Sequence, residues 1–242
     1  MLEISAPKVL PQSLALAGDS LAHGEPVLIF DAPDREGETD LVFLSEKATP
    51  ELVRLARQDA GGLICTAYSD ELRVRLGLPF ASDLLQLGSD RYPILGGLGR
   101  QQLRYDQRSA FGITVNHRSN FTGVPDNDRA VTIRSLGELS RIASTRSDEE
   151  LRARFVAEFS SPGHVPLLYS APGLVQERKG HTELAISLAR LTGLSESATV
   201  CEMLGDSGGP RSPEAARRYA DSHGWVFLEG RTIAEAVTKW SA

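Results

Sequence analysis

The sequence predicts an α+β protein in which a single mixed β-sheet is flanked by helices. Three observations carry this. Short, uniformly apolar runs at 27–30 and 41–44, and largely apolar ones at 63–67 and 198–204, read as buried strands. Segments of helical spacing lie among them, with clear start signals at Thr49-Pro50 and Ser147-Asp148-Glu149-Glu150. The order strand, loop, strand, helix, strand, helix, then an irregular stretch, departs from strict βαβ alternation. No G-x-G-x-x-G opens a helix after the first strand, so a doubly wound dinucleotide fold has no support. The length of 242 residues suits one domain, 1–242.

The elements follow in order. Residues 9–22 carry a helical pattern interrupted early by Pro11, and a turn at 23–26 leads into the first two strands. Thr49 is a fitting N-cap and Pro50 a fitting first helical residue, with Leu52, Val53, Leu55 and Ala56 as the apolar face and 59–62 as the end. The strand at 63–67 precedes a helix near 69–76. Residues 78–108 lack periodicity and carry Gly88, Pro93, Gly96, Gly97 and Gly99, so they read as irregular connection with a short helix around Leu84. A strand at 111–116, a turn at 120–125 and a helix opening at Asp126 come next. The charged stretch 137–150 reads as a surface excursion, before a helix whose stripe is Leu151, Phe155 and Val156. Then come a strand at 165–169, a helix at 184–191, the strand 198–204, a loop at 205–210, a helix at 212–223, a strand at 225–228 and a helix at 233–240.

Composition excludes several classes of function. Net charge is −6, from 26 basic and 32 acidic side chains, which argues against general binding to nucleic acid or anionic membranes. Two cysteines, Cys65 and Cys201, are too few for a disulfide framework and point to a reducing, cytoplasmic setting. No apolar run approaches the roughly 20 residues of a membrane span.

The chemistry-bearing stretch is Asp31-Ala-Pro-Asp34-Arg35-Glu36-Gly37-Glu38-Thr39-Asp40, five carboxylates in ten residues between two buried strands. Crowded carboxylates repel and raise one another's pKa. A solvated acidic loop is one reading; a site for a hard cation, which prefers carboxylate and substrate oxygens, is the other. Such a loop is expected to be mobile until cations arrive. Arg178-Lys179-Gly180-His181-Thr182 lies at a helix N-terminus, a serviceable phosphate site because free N–H groups and the helix dipole point outward there. Glu202 stands inside an apolar strand, either bridged to a base or catalytic with a raised pKa. Cys65 reads as a small core filler or a nucleophile.

Six motifs in one order then resemble a known family: Asp34-Arg35-Glu36-x-Glu38-x-Asp40, Gly61-Gly62-Leu63-Ile64-Cys65, Thr122-Gly123, Pro162-Gly163-His164, Arg178-x-Gly180-His181-Thr182-Glu183 and Cys201-Glu202. Together, over about residues 10–237, they look like a stand-alone, archaeal-type 3,4-dihydroxy-2-butanone 4-phosphate synthase. Gly37 and Thr39 replace the commoner asparagine and glycine, Lys179 a frequent arginine, and Pro166 comes one residue early. The resemblance implies conversion of D-ribulose 5-phosphate to L-3,4-dihydroxy-2-butanone 4-phosphate and formate. It implies Mg²⁺, with Mn²⁺ as the alternative and two ions per active site, in a homodimer with sites near the subunit interface. Carried across, Glu36 and His181 match metal ligands. Arg35, Glu36, Asp40, Thr122, Arg178, Lys179, Gly180, His181, Thr182 and Glu202 match substrate-binding positions. His164, Glu202, Glu38 and Cys65 match catalytic ones. If Glu36 and His181 share a metal, they should approach within roughly 5 Å, and His181, beside two cations, should be a neutral imidazole. Two rivals remain: a magnesium-dependent phosphosugar isomerase or phosphatase, and a non-enzymatic metabolite-binding relative. The second should have lost one of Glu36, His164, His181 or Glu202, and all four are present.

Overall fold

The computed structural model describes residues 10–98, 106 and 108–241. Seven strands form one mixed sheet: β1 (Val27–Phe30), β2 (Thr39–Leu44), β3 (Cys65–Tyr68), β4 (Phe111–His117), β5 (Phe159–Tyr169), β6 (Ser197–Glu202) and β7 (Phe227–Glu229). Their order across the sheet is β4-β5-β3-β6-β2-β1-β7. β1 pairs in parallel with β7, and β3 with β5, while the remaining neighbours are antiparallel. This is the mixed α+β sheet the sequence predicts.

Both faces are covered, which is why the central strands are apolar throughout rather than alternating. On one face Leu28, Leu41 and Phe43 join the core under α2 (Pro50–Leu55), α3 (Asp70–Leu76), α6 (Asp126–Ile142), α7 (Asp148–Glu158) and α9 (Pro213–His223). On the other, Val27, Ile29, Val42, Leu44, Cys65 and Val200 pack under α1 (Gln12–His23), α8 (His181–Leu191) and α10 (Gly230–Ser241). Helix α8 is buried nearly all round, and Leu184 and Leu188 each contribute about 1.5–3 kcal/mol by leaving water. That packing anchors the helix whose first turn reaches the site.

Local signals hold where they are strongest. Thr49 accepts from Leu52 N–H with Pro50 at the first helical position, and Ser147 and Glu150 form a reciprocal capping box. Tertiary packing overrides weaker ones. The excursion expected at 137–150 is helical through Ile142, because Leu136 and Leu139 are fully buried and carry α6 onward. Residues 78–98 hold two short helices, α4 (Ala81–Leu87) and α5 (Ile94–Leu98), and the rest of that irregular stretch lies partly outside the described residues. The apolar run at 165–169 is the second half of an eleven-residue strand.

Candidate active site

The side-chain period of a strand places the site acids. Asp40 on β2 pairs in register with Glu202 on β6. Both stand an even number of residues from Val42 and Val200, which face α8, so both carboxylates lie on the α8 face. Like charges directly opposite are destabilising in a plain sheet. Glu202 therefore sits at the end of β6, half-buried, and not within an apolar strand as the sequence suggested. Its Oε2 accepts Leu63 N–H at 2.7 Å and its backbone carbonyl accepts Gly62 N–H at 3.0 Å. A Cβ at Gly62 would strike that side chain and carbonyl, which accounts for the second glycine of the Gly61-Gly62 motif.

The acidic loop is organised by its own first residue. Asp31 accepts Glu36 N–H through Oδ2 and Glu38 N–H through Oδ1, both at 3.0 Å, and Arg35 Nη1 lies 3.3 Å from Oδ2. The loop expected to wait for cations thus has internal ties of its own. Asp31 had no assigned role in the sequence reading, although its place at a strand end was the available signal.

From the far end of the chain, Gly180 caps α8 and His181 opens it. His181 Nδ1 lies 3.5 Å from Glu36 Oε2, well inside the approach expected of two residues sharing a metal. Its Nε2 faces the Glu38 carbonyl oxygen at 3.2 Å and Asp40 Oδ1 at 3.5 Å. Burial works to lower the His181 pKa, but Asp40, the hydrogen-bonded Glu36 and Asp31 outweigh it and raise it to about 9. The cost of protonation expected from two neighbouring cations is thereby reversed, since the surrounding carboxylates favour the protonated ring. Lys179 is exposed and has no ion-pair partner among the described residues, and Arg178 is tied to other acids, so the ring meets carboxylates instead. Burial likewise works to raise Glu36, but the His181 hydrogen bond and the charges of Arg35, His181 and Arg178 hold it at about 2. Asp40, 2% exposed, is pushed by burial to about 7 despite His181, with Glu202, Glu36 and Glu38 adding to the rise. Glu38 is also raised, by burial and then by Glu36 and Glu202.

Beside this group lies a pair of arginines. Arg35 Nη1 is 3.1 Å from Glu36 Oε2, and Arg178 Nη1 donates to Glu183 Oε2 at 2.7 Å. Glu183 is fully buried at the third position of α8, and its other oxygen accepts Ala171 N–H at 2.8 Å. A Cβ at Gly180 would lie 2.6 Å from Arg178 Nη1 and 2.8 Å from Arg35 Nη2, so a larger residue there would push the guanidinium ends aside. Thr182 is buried in the same turn, and Gly180, the cap residue, offers no side chain to its N–H groups. Arg35 and Arg178 thus bring two cations to a glycine-capped helix N-terminus, an arrangement suited to phosphate.

Three candidates stand apart. His164 on β5 is exposed and hydrogen-bonds Asn116, with none to the Glu36–His181 group among the described residues. Thr122 is exposed in the loop before α6, where its N–H donates to Asp128. Cys65 is buried in β3, and burial, then Glu202 and Asp40, push its thiol far above the ordinary range. Burial disfavours a thiolate there, and Cys65 packs within the hydrophobic cluster on the α8 side of the sheet.

A sequence model of 3,4-dihydroxy-2-butanone 4-phosphate synthase matches residues 16–236. The chain belongs to that family. A 3,4-dihydroxy-2-butanone 4-phosphate synthase of Methanothermobacter thermautotrophicus is 46% identical over 218 residues, covering 90% of this chain and 92% of the relative. One from Methanosarcina mazei is 42% identical over 233 residues, covering 95% and 93%. The solved synthase of Candida albicans superposes with a TM-score of 0.69 at 27% identity, covering 95% of this chain and 99% of that one. A synthase solved with two magnesium ions gives the same TM-score at 23% identity, covering 92% and 95%, a likeness of fold. All the candidate residues fall within the matched stretch.

Glu202 separates a catalytic from a structural acid in this family setting. Glu202→Gln keeps an oxygen that can accept the Leu63 N–H and removes the charge. Formate release should fall by about 10²–10⁴-fold with the thermal midpoint little changed. A lowered midpoint with full specific activity would make Glu202 a structural anchor only.

Proposed function

We propose that this lyase converts D-ribulose 5-phosphate to L-3,4-dihydroxy-2-butanone 4-phosphate and formate, for riboflavin synthesis, with the whole chain acting as one domain. The observation that carries the reading is the convergence of Glu36 and His181, 145 positions apart (181 − 36), beside the paired arginines at a glycine-capped helix N-terminus. Family membership supplies the reaction class.

The residues suit a divalent cation. Asp31, Glu36 and His181 each offer a ligand atom, all within 4.8 Å of one another, and buried Asp40 Oδ1 has no hydrogen-bond partner among the described residues. Mg²⁺, with Mn²⁺ as the alternative, would offset the negative charge that develops on the substrate's oxygens. A second ion would need substrate oxygens to complete its shell.

The chain's own groups do the rest. A ketose phosphate must lose a proton beside its carbonyl before water leaves and the carbon skeleton rearranges. Asp40, raised to about 7, can exchange a proton near neutral pH. Glu38 and Glu202 stand next to it for the later transfers. Arg35, Arg178 and Thr182 would hold the phosphate and fix the reacting carbons against the acids.

The assembly we favour is a homodimer in the cytoplasm. Phe121 is 97% exposed beside Thr122, and Val124 is exposed nearby. A second copy covering this loop would offer Thr122 and His164 a route to a site they do not reach within one chain. Formate release from ribulose 5-phosphate tests the whole reading. An isomer or inorganic phosphate appearing without formate would overturn it.

A further inference from the structure

Asp106 belongs to none of the motifs, yet it sits in the middle of the candidate anion site. Its Oδ2 lies 2.8 Å from Arg178 Nε, 2.6 Å from Arg178 Nη2 and 3.0 Å from Arg35 Nη2. Three N–H groups from two guanidiniums converge on one oxygen of a side chain only 8% exposed. The Nε–Nη2 edge is a side of arginine that grips a carboxylate or phosphate in parallel hydrogen bonds. On Arg178 the Nη1 side already serves Glu183, which is fixed in turn by Ala171 N–H.

We propose that Asp106 is an internal competitor for the substrate's phosphate. Its carboxylate takes the place of a phosphate oxygen between Arg35 and Arg178 and gives way when the phosphate binds, which sets the apparent affinity of the site. The inference rests on the reading of these arginines as phosphate contacts. A phosphate dianion brings two charges and three acceptor oxygens to donors that Asp106 engages with one oxygen, so the exchange runs toward phosphate. With both present, two anions would stand at contact distance, which their repulsion disfavours. A ligand that binds only molecules with the carboxylate withdrawn has its affinity reduced by that fraction. A positioning role for Asp106 predicts the opposite sign. Removing the carboxylate would then let the guanidiniums part and weaken phosphate binding.

The experiment compares the full-length chain with Asp106→Asn, which keeps volume, and Asp106→Ser, too short to reach the arginines. Inorganic phosphate is the probe, as an inhibitor of formate release and in direct calorimetric titration. In both variants phosphate should bind about threefold to tenfold more tightly, and KM should fall in parallel. Unchanged or weaker phosphate binding in both variants overturns the proposal, as does a complete lack of phosphate binding by all three proteins. The two readings separate cleanly. A wild-type protein that releases no formate, while calorimetry shows the expected tightening, would sink the proposed reaction and support the role of Asp106.

Discussion

Replacing either Glu36 or His181 with alanine is expected to lower formate release from ribulose 5-phosphate by about 10³-fold, and replacing both should cost little more. The two side chains lie 145 positions apart in the chain, yet Nδ1 of His181 lies 3.5 Å from Oε2 of Glu36. Each also depends on the other for its charge state: His181 helps hold Glu36 at about 2, and Glu36 helps lift His181 to about 9. Groups that act as one unit are lost as one unit, so the second substitution finds nothing left to remove. Single-variant losses that multiply in the double variant would show two independent sites and defeat the shared-centre reading. Circular dichroism separates this from misfolding, because Glu36 is in a half-exposed loop where truncation leaves the core intact.

The second large effect is a pH dependence of metal binding. A ligating imidazole must be unprotonated, so a divalent cation competes with the proton on His181. Burial would lower that pKa, but Asp40, Glu36 and Asp31 raise it to about 9. Well below that value each unit of rising pH should strengthen binding by about tenfold, giving about 50-fold from pH 7 to pH 9 before it levels off. Calorimetry with Mg²⁺ in two buffers of different ionisation enthalpy should show close to one proton released near pH 8. Binding that neither releases a proton nor varies with pH would remove His181 from the ligand set. The metal-free protein carries the matching stability signature. A histidine raised on folding stabilises fully below its unfolded value of about 6.5 and loses that contribution as pH climbs through about 9. The thermal midpoint without metal should therefore fall between pH 7 and 9.5. Asp40 acts in a lower window: its raised carboxyl loses stability for the fold between its ordinary value and about 7.

Much of this protein is legible along the chain. Apolar runs without alternation mark strands covered on both faces, as the two cores on either side of the sheet bear out. Thr49-Pro50 and the Ser147–Glu150 box mark helix starts because capping is satisfied within three or four residues. The family motifs are legible because they record residue types at fixed spacing. Tertiary structure alone decided what those residues meet. The Asp40–Glu202 register, set by strand pairing, puts two acids side by side facing α8. The raised pKa of His181 follows from three carboxylates brought to it through space, whereas Arg178 and Lys179 precede it in the sequence. Asp106 left no trace in an aperiodic stretch, since its partners lie 71 and 72 positions away. Helix α6 runs on through 137–142 because buried Leu136 and Leu139 meet the sheet's core, a contact that local charge pattern does not encode. Short-range hydrogen bonding and periodicity are properties of a segment, while pKa values and site geometry belong to the segments that packing brings together.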